Sequence, residues 1–174
     1  MPQTLHPQRV EQKRKILGID PGLATTGLGL VAINGQQELS ALEWLTIQTK
    51  PGLPLAERLE EIERDLAAYV KKERPDLAVV EKLYFSTNVK TAIDVAHARG
   101  VILLTLAAHD IEVMEPNPLS LKSCITGDGH ADKRQVQDML CRTLNLAEAP
   151  KSDDAADALA LAVFGALQRS VIKP

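Results

Sequence analysis

Aromatic residues are scarce in this chain. Two Phe, one Trp and two Tyr make up 3% of its 174 residues. The core must therefore be filled by aliphatic side chains and alanine. Cysteine is scarcer still: Cys124 and Cys141 are spaced neither as a metal pair nor as a redox pair. That excludes a disulfide scaffold and fits packing in a reducing, cytoplasmic setting. There is no 18-residue apolar run, so no membrane-spanning helix is expected. The segment from Met1 to Pro7 has no apolar stretch, so it does not read as a secretory signal. Internal repeats, low-complexity segments and domain linkers are also missing. What is present is 45% hydrophobic and 25% charged residues, the composition of a globular domain. The length suits one domain with a sizeable core.

The formal charge of −3 argues at first against a nucleic-acid partner. Four of the negatives, however, belong to one candidate site described below, and without them the balance is +1. Basic residues also cluster: Arg9, Lys13, Arg14 and Lys15 near the start, then Lys122, Lys133, Arg134 and Arg142. This distribution permits a local basic footprint. A solvated charged face is the plainer explanation for the same residues.

Residues 1–14, with two prolines and several charges, read as a mobile tail ahead of one domain over 15–174. Strands are expected over about 15–20, 26–33 and 37–48, with Asn34-Gly35 as a hairpin signal between the last two. Leu55, Leu59, Ile62, Leu66 and Val70 recur at helical spacing, which predicts a helix over about 54–73. A short apolar strand over 77–82, a long helix over about 88–108 and a strand over 111–115 follow. Helices over roughly 118–125, 132–144 and 153–169 complete the chain. The order implies an α/β fold: a mixed five-stranded sheet with helices on both faces. In the long helix, Ala92, Ala96 and Gly100 allow close approach of another element. A mid-helix glycine costs about 1 kcal/mol against alanine, so tight packing is expected at Gly100, against the sheet or across a two-fold axis.

Four acids stand where these elements begin or end. Asp20 closes Lys15-Ile-Leu-Gly-Ile-Asp20, and Glu81 closes Leu77-Ala-Val-Val-Glu81. Asp154 and Asp157 open the last helix and, three apart, share one of its faces. Ser152 suits the N-cap of that helix. Singly, each acid reads as structural, and Asp153 and Asp154 complement a helix dipole. That explanation does not reach Asp157, which lies past the first turn among alanines and leucines. Buried carboxylates are costly unless a positive partner neutralises them. Together the four point to divalent metal, and to the phosphodiester chemistry that oxygen-bound Mg²⁺ or Mn²⁺ supports.

These residues fall in blocks. Ile16-Leu-Gly-Ile-Asp-Pro-Gly22 is followed by Thr26-Gly27-Leu-Gly29, Val79-Val-Glu-Lys-Leu-Tyr84 and Ala98-Arg-Gly-Val101. Lys133-Arg-Gln-Val-Gln137 and Asp154-Ala-Ala-Asp-Ala-Leu-Ala160 come next, in the same order. In this the chain, from about residue 15 to 168, resembles the RuvC-type Holliday-junction resolvases. The resemblance implies an RNase H-like fold, a homodimer, and cutting of four-way DNA junctions by paired symmetric nicks in recombination and repair. It implies two Mg²⁺ or Mn²⁺ ions per active site, with Asp20, Glu81, Asp154 and Asp157 as catalytic acids. It also implies that Lys133 lies near the scissile phosphate, that Lys122 contacts DNA and that Tyr84 stacks on an unpaired base. By residue type alone, Lys133 reads as a helix-surface lysine, and a core role for Tyr84 or Phe85 is as good a reading as stacking. RuvA and RuvB, the branch-migration proteins, are partners by the same resemblance. Two other readings stay open here: an RNase H-like nuclease acting on hybrid or other branched nucleic acid, and a junction-binding module without catalysis. The length is too short for the two lobes of an actin-like ATPase.

Overall fold

A computed structural model describes residues 13–82 and 89–171. The first strand, β1 (Arg14–Asp20), leads into β2 (Thr25–Ile33) and β3 (Leu39–Gln48). Helix α1 (Leu55–Glu73), strand β4 (Leu77–Val80), helix α2 (Val89–Ala108) and a two-residue strand β5 (Val113–Met114) follow. Three helices close the chain: α3 (Pro118–Thr126), α4 (Lys133–Leu144) and α5 (Asp153–Val171). The five strands form one sheet in the order β3-β2-β1-β4-β5. β2 is antiparallel to both β1 and β3, whereas β1, β4 and β5 are parallel. The fold is the expected RNase H-like α/β fold. Of the tail expected over residues 1–14, residues 1–12 lie outside the described residues, and Arg14 already belongs to β1.

The period-two alternation of β1 divides the core. Leu17 and Ile19 face α1 and α2 with Ile62, Leu66, Ala98 and Ile102. Ile16, together with Leu77 and Val79 of β4, faces α5 with Leu159 and Val163. Asp20 and Glu81 follow the second parity. Both therefore point to the α5 side from adjacent parallel strand ends, just beyond the paired residues Ile19 and Val80.

Three glycines let α5 reach the sheet. A Cβ on Gly18 would stand 1.9 Å from the Ala158 carbonyl oxygen. One on Gly27 would stand 2.0 Å from the Asp154 carbonyl oxygen, and one on Gly29 would stand 2.5 Å from the Leu159 nitrogen. The helix thus rests on strand backbone, with its first turns over Gly27 and its middle over Gly18 and Gly29.

Asn34-Gly35 lies in the expected hairpin between β2 and β3. The Asn34 carbonyl accepts from Gln37 N, Asn34 N donates to the Glu38 carbonyl, and Gln37 takes the left-handed position at φ 68°. This is a three-residue loop, fixed by the Asn34 side chain accepting from the backbone of Gln36 and Glu38. One of the two packing expectations at Gly100 is corrected: it does not pack against the sheet, since among the described residues nothing lies within 4 Å of its would-be Cβ. The packed side of α2 carries Ala98, Ile102 and Leu106, and Gly100 lies opposite.

Candidate active site

The C-terminal end of β1 is held in shape before any acid is considered. The Thr26 hydroxyl, fully buried, donates to the Gly22 carbonyl at 2.7 Å and closes the Asp20-Pro21-Gly22 turn. A Cβ on Gly22 would meet the Thr25 carbonyl oxygen at 2.2 Å, so this turn requires glycine. Asp20, Glu81 and Asp157 line one cavity of about 310 Å³, together with Lys122 of α3 and Lys133 of α4. Pro118, Leu121, Val136 and Leu161 supply apolar wall.

Asp154 stands on the other flank. It lines a neighbouring groove with Gly22, Thr25, Arg58 and Asp94. Three residues on a helix turn the side chain by about 60°, which separates Asp154 from Asp157 on either side of Asp20. The expected set of four is therefore brought to one sheet edge but divided between two openings. Among the described residues, no three acids already form a group compact enough to hold an ion. Side-chain rotation is needed to bring three of them onto one cation.

Electrostatics mark Asp20 as the centre. Burial, then the charges of Asp157, Asp154 and Glu81, push its carboxyl up from 3.8 to about 7, against a smaller downward pull from Lys133. Burial also raises Glu81, helped by Asp157 and opposed by Lys122. Burial raises Asp157 too, despite the opposing charge and hydrogen bond of Lys133. Lys133 Nζ lies 3.3 Å from Asp157 and 3.2 Å from Asp153. Burial pulls the Lys133 ammonium down, but these two partners outweigh it and the net shift is upward. Beyond complementing the helix dipole, Asp153 thus pairs with Lys133 from α4 to α5, a partnership that no local spacing predicts. Lys133 is fixed at the first position of α4, whose N-cap Asp132 forms a reciprocal capping box with Gln135. Ser152 stands at the head of α5, where its carbonyl accepts from Ala156 N. Tyr84 lies outside the described residues.

The donor set fits a hard divalent cation: it consists of carboxylate oxygens, is rich in negative charge, and keeps Asp20 partly protonated at neutral pH when no cation is bound. A stability prediction follows from the sign of that shift. The folded-state value of about 7 lies above the ordinary 3.8, so Asp20's contribution is fully present below pH 4 and is lost as pH rises through 7. At 1.36 kcal/mol per pH unit the loss is no more than about 4 kcal/mol. In chelator, Asp20→Asn is expected to melt above the unchanged chain at pH 8, with the advantage shrinking toward pH 5. Calorimetric melting at both pH values checks this, and an advantage independent of pH would contradict it.

The model of the family described as "Crossover junction endodeoxyribonuclease RuvC" matches residues 16–165. A protein of that name from Prochlorococcus marinus is 46% identical over 156 residues, covering 89% of this chain and 99% of its own. One from Chloroflexus aurantiacus is 48% identical over 149 residues, covering 86% and 90%. Among solved structures, Thermus thermophilus RuvC in complex with Holliday junction substrate superposes with a TM-score of 0.85 at 32% identity, covering 91% of this chain and 96% of that one. The yeast mitochondrial Holliday junction resolvase Ydc2, at 13% identity and a TM-score of 0.69, shares the fold. An RNase H-like sheet with carboxylates gathered at its edge, matched over nearly the full length of such relatives, makes this chain a member of the RuvC crossover junction endodeoxyribonuclease family.

Proposed function

We propose that this protein resolves four-way DNA junctions in the cytoplasm, hydrolysing phosphodiester bonds at the sheet edge that bears Asp20. The observation that carries the reading is that Asp20 and Glu81, at adjacent parallel strand ends, line one cavity with Asp157, Lys122 and Lys133. Such a cluster is unfavourable on its own and becomes favourable with divalent cations. Asp20, Glu81, Asp154 and Asp157 would hold the cations, with Asp20 central to the other three. Bound Mg²⁺ or Mn²⁺, two per site, would supply activation of water and stabilisation of the leaving 3′-oxygen. Lys122 and Lys133 draw the phosphate backbone into the cavity mouth. Tyr84 stacks on an unpaired base near the crossover, and RuvA and RuvB deliver the junction.

The decisive assay offers a mobile four-way junction, linear duplex and RNA–DNA hybrid, with Mg²⁺ or with Mn²⁺. Paired nicks of matching polarity in the junction alone are expected. Preferential cutting of the hybrid, or tight junction binding with no cut under either metal, would overturn the proposal.

Lys133→Ala separates chemistry from binding. A cation meeting charge that develops on the phosphoryl oxygens is worth about 10²–10³ in rate when removed. Single-turnover cutting is expected to fall by at least about tenfold, while the salt slope of binding changes by no more than about one unit. An unchanged rate with weaker binding would leave Lys133 as a phosphate contact only.

A homodimer is part of this reading. The outer face of α2 carries Ile93 and Leu104, 52% and 68% exposed, with His97 and Gly100 between them on the same stripe. A second copy covering this stripe would set two sites against the two equivalent strands of a junction. Gly100→Leu would wedge such an interface at a cost of about 1–3 kcal/mol, which is about one to two decades in dimer dissociation. Sedimentation is expected to show that shift, with second-strand cutting lost before first-strand nicking. A variant that stays dimeric and still makes paired cuts would place the interface elsewhere.

A further inference from the structure

Glu81 is the only one of the four acids that lies outside regular secondary structure: β4 ends at Val80. Its carboxylate needs another source of rigidity. Two hydrogen bonds provide it. Both act on the single peptide unit that joins Glu81 to Lys82. Its N–H, on Lys82, donates to the Pro116 carbonyl at 2.9 Å, in the segment after β5. Its carbonyl, on Glu81, accepts from Arg99 Nε of α2 at 3.0 Å. The same guanidinium forms an ion pair through Nη2 with Glu115. The Arg99 side chain is 17% exposed. It is set beside Ala98, which is fully buried and anchors α2 on the sheet. A planar fork with donors in fixed directions can hold a carbonyl and a carboxylate together, which an ammonium cannot do as well.

We propose that Arg99 is a positioning residue: it fixes the Glu81 backbone, and through it the direction of the Glu81 carboxylate, for the cation of the active site. This rests on the reading of Glu81 as a metal ligand. Arg99 touches neither the cavity nor any reacting atom; it acts through Glu81 alone. Groups that orient a metal ligand from behind typically change metal affinity or activity by about 10–100-fold when removed.

The test uses the full chain without DNA and reads Mn²⁺ binding from the electron paramagnetic resonance of the free ion. Melting in chelator is measured in parallel. Arg99→Ala is expected to weaken Mn²⁺ binding by about tenfold or more. Arg99→Lys, which keeps the charge but loses the fork, should fall between Arg99→Ala and the unchanged chain. Glu115→Gln, which frees the far side of the guanidinium, should give a smaller loss in the same direction. If Arg99→Ala does not fold, Arg99→Lys and Glu115→Gln carry the same comparison. Variants that melt lower in chelator yet bind Mn²⁺ as the unchanged chain does would overturn the proposal, since Arg99 would then serve only the fold. If the unchanged chain bound no Mn²⁺, the metal site itself would be overturned, and the role of Arg99 with it.

Discussion

Asp20→Asn is expected to cut no four-way junction at a measurable rate while binding it about as well as the unchanged chain. The substitution removes the proposed cation ligand on which the charges of three other acids bear. It leaves Lys122 and Lys133 to meet the phosphates. At 1.36 kcal/mol per decade, losing several kcal/mol of metal-borne stabilisation slows cutting by roughly a thousandfold or more. Glu81→Gln, Asp154→Asn and Asp157→Asn are expected to fail in the same way. Asp157→Asn also releases Lys133 from one of its two partners. Single-turnover cutting with Mg²⁺ or Mn²⁺, beside binding measured in Ca²⁺, checks all four. Near-normal cutting by Asp20→Asn would remove the sheet edge from the mechanism.

Gly18→Ala should be nearly as damaging, although Gly18 touches no ligand. Its added methyl carbon would be placed 1.9 Å from the Ala158 carbonyl oxygen and 2.5 Å from the Ala162 nitrogen. Both are backbone atoms of α5, so no side chain can swing aside. The helix must lift, and overpacking of this kind costs about 1–3 kcal/mol or more. Lifting α5 also carries Asp154 and Asp157 away from Asp20. A misplacement of about 1 Å at a reacting centre is enough for a hundredfold loss in rate. Gly100→Ala is the matched control for the seat of α5: it adds the same methyl where no described atom of its own chain lies within 4 Å, so it leaves α5 in place. Denaturant unfolding and cutting rates of the two variants test the contrast. Equal behaviour would mean that α5 does not need its glycine seat.

Most of this architecture was legible in the sequence, for identifiable reasons. Strand alternation and helix periodicity are local signals, and they gave the strands and helices to within a few residues. The acids at 20, 81, 154 and 157 were readable because carboxylates at the edges of apolar runs need a reason to be there. What escaped depended on distance along the chain. The partnership of Lys133 with Asp153 joins two helices, and no spacing rule announces it. Arg99 stood in a quoted block, but its bond to the Glu81 carbonyl crosses 18 positions. The division of Asp154 from Asp157 between two openings follows from where α5 sits on the sheet, which is a matter of packing. At Gly100 the sheet is not the partner, because a glycine in a helix signals close approach without saying to what. The role of Gly18 and Gly29 was not legible either: they are paired across β1 and β2, and only the fold brings α5 onto them.

The seat of α5 also has a consequence for the order in which the protein is made. Strands β1 and β2 and the acid at their turn leave the ribosome early, and their pairing is local. The helix that completes the site, α5, follows β1 by more than a hundred residues of chain. Non-local contacts of this kind form late, after loop closure has been offset. A nascent chain therefore presents Asp20, then Glu81, but has no helix to set beside them until residues 153–171 have emerged. A copy stalled before that point would be a sheet without a cutting edge, and the cell's DNA would meet this nuclease only after α5 has been made.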